Sequence, residues 1–343
     1  GGAVGLASPG LSHLVGVGSG LFARWIVAVG RHGAAFPGAA YDWGSDAFAV
    51  AVLAAVCAGI AFGAGHLLRR PLPCIGISLA TAIVVVHPIT PGWPPADWVM
   101  VACNVGQGDA TVLNAGDGRA VVVDTGPDPR PVDRCLRELG IGRIPVVVLT
   151  HGHADHVGGL PGVLRGRRVG EIDVGPTGGP APPDVPTRTV EYGETRRVGP
   201  LSWTVIGPAD SLGTTEPVDP DSEGSAVNNA SVVMLVEVRG ARLLLTGDIE
   251  PEAQEELLRA WPDLHADVLK VPHHGSARQD PELFETLGAR FGTLSAGVGN
   301  PFGHPTARTI ELMRRTGIKP LRTDRQGDLA LTVHDGALRA VTR

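Results

Sequence analysis

Four metal-ligand side chains within six residues, directly behind an uncharged run of mostly branched residues, constrain this chain more than any other feature. The run is IPVVVLT, Ile144 to Thr150, and the cluster is His151-Gly152-His153-Ala154-Asp155-His156, followed by Val157-Gly158-Gly159. A short, fully apolar run rich in Val reads as a strand buried on both faces of a sheet. Imidazole nitrogens and a carboxylate are donors that zinc, manganese or iron accept, and a core cannot absorb four of them in succession. One turn at the strand end can present His151 and His153 to one ion and Asp155 and His156 to a second. The two glycines allow the backbone to turn tightly beside them.

Two later strand ends complete the pattern. RLLLTGD delivers Asp248 where a carboxylate can touch both ions, although alone it would read as a cap for the helix beginning near Glu250. DVLKVPHHGS delivers His273 and His274. One of the pair can be a ligand, and its neighbour, pointing elsewhere, can hydrogen-bond a substrate oxygen or protonate a leaving group. The reading assigns His274 to metal and His273 to chemistry, with the reverse left open. Lys270 either stabilises negative charge on a substrate or is an exposed strand-end residue. Asp124, in VVVDTG, either orients a ligating imidazole from behind or is a turn residue. Asn228 and Asn229, ahead of SVVMLVEV, either orient substrate or approach a metal, or form a turn. His304, in NPFGHPT, either donates to an oxyanion or stands in solvent.

The chain of 343 residues divides itself near Asp97: the long uncharged runs precede it and most charged residues follow. AFAVAVLAAVCAGIAFGAGHLL, residues 47–68, is 22 residues without a formal charge, enough to cross a bilayer, and residues 71–89 are either just long enough to return or a buried core helix. The positive-inside tendency places Arg69 and Arg70 in the cytoplasm and everything after Pro91 outside. Arg24 and Arg31 conflict with that placement, softened if residues 12–31 form an amphipathic helix in the interface. Residues 91–97 are then a Pro-rich linker, and residues 98–343 a water-facing domain. In it, VMVACNVG, ATVLNAG, RAVVVDTG, LSWTVIGP, SVVMLVEV, RLLLTGD and FGTLSAG read as strands, and PVDRCLRELGIG, EPEAQEELLRAW and RTIELMRRTG as helices. Net charge of −6 excludes a generally basic nucleic-acid surface and leaves a local patch open. Cys57, Cys74, Cys103 and Cys135 show no C-x-x-C spacing, so neither a zinc knuckle nor a disulfide framework is expected. With no initiating Met and no charged segment ahead of a cleavable core, the chain reads as part of a longer protein.

With these residues in hand, the chain resembles the ComEC family of competence proteins, inner-membrane channels that take up single-stranded DNA. The resemblance rests on NVGQGDA, VVDTG, THGHADHVGG, NNASVV, LLTGDIE, DVLKVPHHGS and FGHP, in order through the whole domain. It implies an α+β fold, an αββα metallo-β-lactamase sandwich preceded by transmembrane helices. It also implies a multi-pass protein of the cell membrane with its hydrolase domain extracytoplasmic, and two divalent metal ions, zinc or manganese. The implied activity is a phosphodiesterase or nuclease that degrades the non-transported DNA strand, with DNA as substrate and the cytoplasmic membrane and other competence DNA-uptake proteins as partners. Many relatives in the wider superfamily carry a third His for the first metal, and here Asn228 or Asn229 takes that place. Family members often carry Asp where this chain has His153. The alternatives are a cell-surface metal-dependent esterase, like the phosphorylcholine esterases of the same subgroup, and a DNA-binding transport module without catalysis. A β-lactamase proper is disfavoured by the missing third His.

Overall fold

The computed structural model describes residues 92–209 and 225–343 and, before them, Trp25, Val27, Ala54 and Cys57. The expected membrane segments at 47–68 and 71–89, and the helix at 12–31, lie outside the described residues apart from those four positions. Among the described residues no helix is long and apolar enough to cross a membrane. Contacts divide the chain into two units, Gly1–Ile89 and Thr90–Arg343, and the fold below is that of the second.

Along the chain run β1 (Trp98–Ala102), β2 (Thr111–Gly116), β3 (Arg119–Val123), α1 (Pro129–Glu138), β4 (Arg143–Leu149), α2 (Ala154–Val157), α3 (Leu160–Leu164), β5 (Arg168–Val174), β6 (Thr187–Thr189), β7 (Thr195–Val198) and β8 (Leu201–Gly207). Beyond residue 224 follow α4 (Ser225–Asn229), β9 (Val233–Val238), β10 (Ala241–Leu245), α5 (Pro251–Ala260), β11 (Val268–Lys270), α6 (Pro281–Thr286), β12 (Phe291–Leu294), α7 (Ala307–Arg315), β13 (Lys319–Arg322), α8 (Thr323–Gln326), β14 (Leu329–His334) and β15 (Ala337–Thr342). They form two mixed sheets, ordered β15-β14-β1-β2-β3-β4-β5-β6 and β13-β12-β11-β10-β9-β8-β7.

Three apolar layers follow from the alternation of side chains along the strands. Val146 and Val148 of β4 face Trp203, Met234, Leu243 and Leu245 in the layer between the sheets. Val147 and Leu149 point the other way, toward Val132, Leu136, Leu160 and Val163 of α1 and α3. On the far side, Leu244 and Leu269 pack against Leu257, Phe284 and Met313 of α5, α6 and α7. The result is the expected αββα sandwich, and the runs Val146–Leu149 and Leu243–Leu245 are apolar throughout because both of their faces are covered. In β1, a bulge between Trp98 and Met100 turns Val99 and Met100 onto the same inter-sheet layer. Each fully buried large side chain there stabilises the fold by roughly 1.5–3 kcal/mol.

Both sheets change from antiparallel to parallel halfway across. β3, β4 and β5 run parallel, as do β10, β11, β12 and β13. Carboxyl ends of parallel strands are where open α/β sheets build sites, and the predicted ligands follow β4, β10 and β11.

One expectation is corrected. Cys103 and Cys135 form a disulfide, with Cα atoms 6.0 Å apart and a sequence separation of 32. Cys103 follows β1 and Cys135 lies on the buried face of α1, in the same apolar layer. The pair is created by the helix folding back over the sheet, which no local spacing announces.

Candidate metal centre

The turn after β4 is held from behind. The Thr150 amide donates to Asp124 Oδ1 at 2.8 Å and its hydroxyl to Oδ2 at 2.9 Å. Asp124, left-handed at φ 59° and bonded through its amide to the Val148 carbonyl, also lies 2.9 Å from His156 Nδ1. That contact lies on the Nδ1 edge of the ring and leaves Nε2 on the forward edge. Burial raises its pKa, opposed by the His156 ring. Gly108 and Gly159 are required by close approach: a Cβ would come within 2.2 Å of the Asp155 carbonyl at the first and 1.9 Å of the Thr125 carbonyl at the second.

The forward edges converge. Asp248 Oδ2 lies 3.2 Å from His156 Nε2 and 3.2 Å from His274 Nε2. Asp155 Oδ2 lies 3.1 Å from His274 Nε2 and 3.9 Å from His156 Nε2. Donors about 2.0–2.1 Å from a tetrahedral ion are separated by roughly 3.3 Å, so these spacings suit one divalent cation. His156 Nε2 is buried and lacks a hydrogen-bond partner, as a nitrogen directed at a cation would. Burial favours the neutral rings of His156 and His274, yet Asp248 and the neighbouring carboxylates outweigh it and raise both pKa values well above the ordinary histidine range. Asp248 is buried too, and the two rings with Lys270 hold its pKa well below the usual carboxylate value. A divalent ion held here would take the place of those protons.

His151 and His153 form a second, adjoining lobe. His151 Nε2 is 3.1 Å from His153 Nδ1, and the His151 and His156 ring centroids are 4.1 Å apart. His151 Nδ1 lies 3.1 Å from both Thr150 Oγ1 and Ser231 Oγ. Burial, reinforced by His156, lowers the His151 pKa well below normal and keeps the ring neutral, as a ligand needs. Ser231 also accepts the Asp248 amide at 3.1 Å, tying the two lobes together.

Asp109, to which the sequence reading gave no role, is the missed residue. One donor atom each from Asp109, His156, Asp248 and His274 lies within 4.8 Å of the others, all four buried. The approach of Asp109 is nevertheless from the outer ring edges, 3.5 Å from His274 Nδ1 and 3.9 Å from His156 Nδ1, whereas Asp155 meets the Nε2 atoms. We therefore read Asp155 as a ligand and Asp109 as the carboxylate behind His274. The partner of Asp109 is Lys270, whose ammonium pairs with its Oδ2 and also bonds the Gly247 carbonyl at 2.6 Å and Asp248 Oδ1 at 3.1 Å. A buried lysine at a strand end is the sequence signal that could have found Asp109, since it needs a carboxylate. Lys270 is buried rather than exposed, and its ammonium faces Asp109, Asp248 and the Gly247 carbonyl. Although burial disfavours its charge, Asp109 and Asp248 raise its pKa above the usual lysine value.

The paired histidines part because the chain takes a left-handed course, with φ 47° at His273 and 53° at His274. His274 turns inward and is buried; the His273 side chain is 26% exposed, its Nδ1 3.4 Å from Glu250 Oε1 and its ring centroid 5.4 Å from that of His304. His304 is half-buried, and burial together with His273 and His274 brings its pKa down to about 4. Asn228 and Asn229 close the short helix α4. The Asn228 amide bonds Glu250 Oε1 at 3.2 Å, and Asn229 Oδ1 accepts the Glu250 amide at 2.7 Å, bracing the start of α5.

Residues 103–289 match the family model for the metallo-beta-lactamase superfamily, and the chain belongs to that superfamily. It is 30% identical over 258 residues to ComE operon protein 3 of Bacillus subtilis, covering 66% of this chain and 32% of that one. It is 28% identical over 295 residues to competence protein ComA of Neisseria gonorrhoeae, covering 79% and 40%. With these relatives the ComEC-family resemblance stands, with a metallo-β-lactamase-fold domain as the described part. The chain spans about a third of the length of these curated relatives. Among solved structures, the metallo-beta-lactamase fold protein YhfI of Bacillus subtilis aligns at TM-score 0.43 and 12% identity, over 65% of this chain and 95% of that one.

Proposed function

We propose that the described domain is a metal-dependent phosphodiesterase acting on DNA, within a membrane protein of competence that degrades the strand not taken up. The observation that carries the hydrolytic part is the convergence of Asp155, His156, Asp248 and His274 on one point, with the His156 Nε2 donor unpartnered. These four residues would hold one divalent ion, zinc or manganese, and His151 with His153 would offer donors to a second. Such ions supply Lewis acidity toward a phosphodiester and make water a nucleophile near neutral pH. The remaining roles belong to the chain itself. Asp124 and Asp109 orient His156 and His274 from behind, and Lys270 keeps both Asp109 and Asp248 ionised and in place. His273 stands on the open wall next to His274, suited to hydrogen-bond a phosphate oxygen or protonate the leaving group. His304, neutral above about pH 4, is suited to orient His273 or the substrate. DNA as the substrate rests on the competence relatives. An extracytoplasmic position is supported by the Cys103–Cys135 disulfide, since such bonds persist in oxidising compartments.

The test is a comparison of substrate classes with the intact chain and its Asp248→Ala variant. Turnover of bis(p-nitrophenyl) phosphate that requires manganese or zinc and is lost in the variant is the expected result. Metal-dependent turnover of p-nitrophenyl acetate without any of the diester would overturn the reading in favour of an esterase.

A further inference from the structure

An open groove of about 440 Å³ beside α1 is lined by Arg130, Arg134, Arg137 and Arg165, with Pro131 and Asp133. Its charge is not cancelled locally. Asp133, 4% exposed, is already matched by the buried Arg167, which bonds Asp133 Oδ1 at 2.9 Å and the carbonyls of Asp133 and Gly162. Arg137 and Arg165 approach that same carboxylate only at 3.8 and 3.5 Å, and both side chains are mostly exposed. Glu138 pairs with Arg343, Asp128 caps α1 through the Arg130 amide and offsets at most one of the four charges, and Arg134 donates to the Asn104 carbonyl at 3.4 Å, so the concavity keeps a net positive charge. Four guanidinium groups in one concavity thus stand out on a chain whose net charge is −6.

The spacing suits a repeating anion. Arg130, Arg134 and Arg137 occur at i, i+4 and i+7, one helical face, spread over roughly 10 Å at 1.5 Å per residue. A nucleic-acid strand advances about 3.4 Å per phosphate along the axis of a duplex, so about three phosphates match that length. The helix that lines the groove also leaves from the ligand loop. The turn that leads into α1 is bonded to the ligand loop, Thr125 through its amide to the His156 carbonyl at 2.7 Å and Gly126 through its carbonyl to the Gly159 amide at 2.6 Å. An anionic membrane surface fits less well. The exposed large apolar side chains among the described residues include none from α1 or α3, so the patch has nothing to insert into lipid.

We propose that the groove formed by Arg130, Arg134, Arg137 and Arg165 is a track for the phosphate backbone of a nucleic-acid strand leading to the metal centre. The choice of partner rests on the phosphodiester reading of the site, but binding here is independent of cleavage. The test is fluorescence anisotropy of a labelled single-stranded oligonucleotide with the intact chain, in EDTA, across a range of salt. Wild type is compared with an Arg134→Gln, Arg137→Gln, Arg165→Gln triple variant and with Arg130→Gln alone, which guards against misfolding of the triple. Each lost phosphate contact should flatten the slope of log affinity on log salt by about 0.7, so the triple variant should lose about 2 from the slope and about 100-fold in affinity at 0.1 M salt. Unchanged slopes in both variants would overturn the proposal, as would wild-type protein that binds phosphatidylglycerol vesicles and no oligonucleotide. Failure of the diester assay with a flattened slope here would remove the catalytic reading and leave this one.

Discussion

Replacing Lys270 with Met tests whether the buried ammonium holds the rear of the metal centre together. Its side chain is 6% exposed and its partners Asp109 and Asp248 are each 3% exposed, so solvent cannot substitute for it. Removing one member of a buried ionic group leaves uncompensated charge and costs about 3–5 kcal/mol. For a domain of this size each kcal/mol lowers Tm by about 2–4 °C, giving an expected fall of roughly 6–20 °C. The assay is thermal and urea unfolding of the intact chain in EDTA, followed by tryptophan fluorescence, since Trp98 and Trp203 are buried in this domain. The variant carrying both Asp109→Asn and Lys270→Met should be more stable than the sum of the two single losses implies, by about 1–3 kcal/mol. A Lys270→Met protein within 1 kcal/mol of wild type would refute the reasoning, as would strict additivity of the pair.

Asp124→Asn keeps one acceptor for the Thr150 amide but puts a donor NH2 where Oδ2 accepts from the Thr150 hydroxyl and meets His156 Nδ1, and it removes the charge behind His156, so metal affinity should fall by about 10–100-fold in a chelator competition titration. Opening the Cys103–Cys135 bridge releases a loop of 32 residues and should cost about 3–4 kcal/mol, read as a lower Tm in Cys103→Ser/Cys135→Ser protein. Glu194 has its pKa lowered by its hydrogen bond to Arg188, against a smaller opposing effect of burial. Its contribution is therefore present above the ordinary glutamate pKa and lost as pH falls through the lower folded value. Glu194→Gln should accordingly narrow its stability difference from wild type as unfolding is measured at progressively more acid pH.

What could be read in the sequence was whatever is local. His151 through His156 announced themselves because four donors crowd one turn, and Asp248 and His274 because each follows an apolar run. The αββα arrangement showed in runs such as Val146 to Leu149, whose two faces both meet apolar layers. What escaped depends on partners distant in sequence. Asp109 sits in a Gly-rich connection and gains its role only when β11 brings Lys270 against it. Ser231 matters because it lies between His151 and the Asp248 amide. Strand β5 hid its pattern behind Arg168, Gly170, Glu171 and Asp173; the buried Asp173 is accommodated by Arg188 and Arg196 from β6 and β7. For Asn228 and Asn229, read equally as site or turn residues, the sequence did not show the hydrogen bonds to Glu250 at the start of α5.

The most direct measurement is cleavage of end-labelled single- and double-stranded DNA by the intact chain, with manganese, zinc or magnesium or with EDTA, beside Asp248→Ala and His274→Ala proteins. The account predicts metal-dependent strand cleavage by wild type that both substitutions abolish. Wild-type protein that retains bound metal, yet leaves both DNAs uncut with every ion, would contradict it.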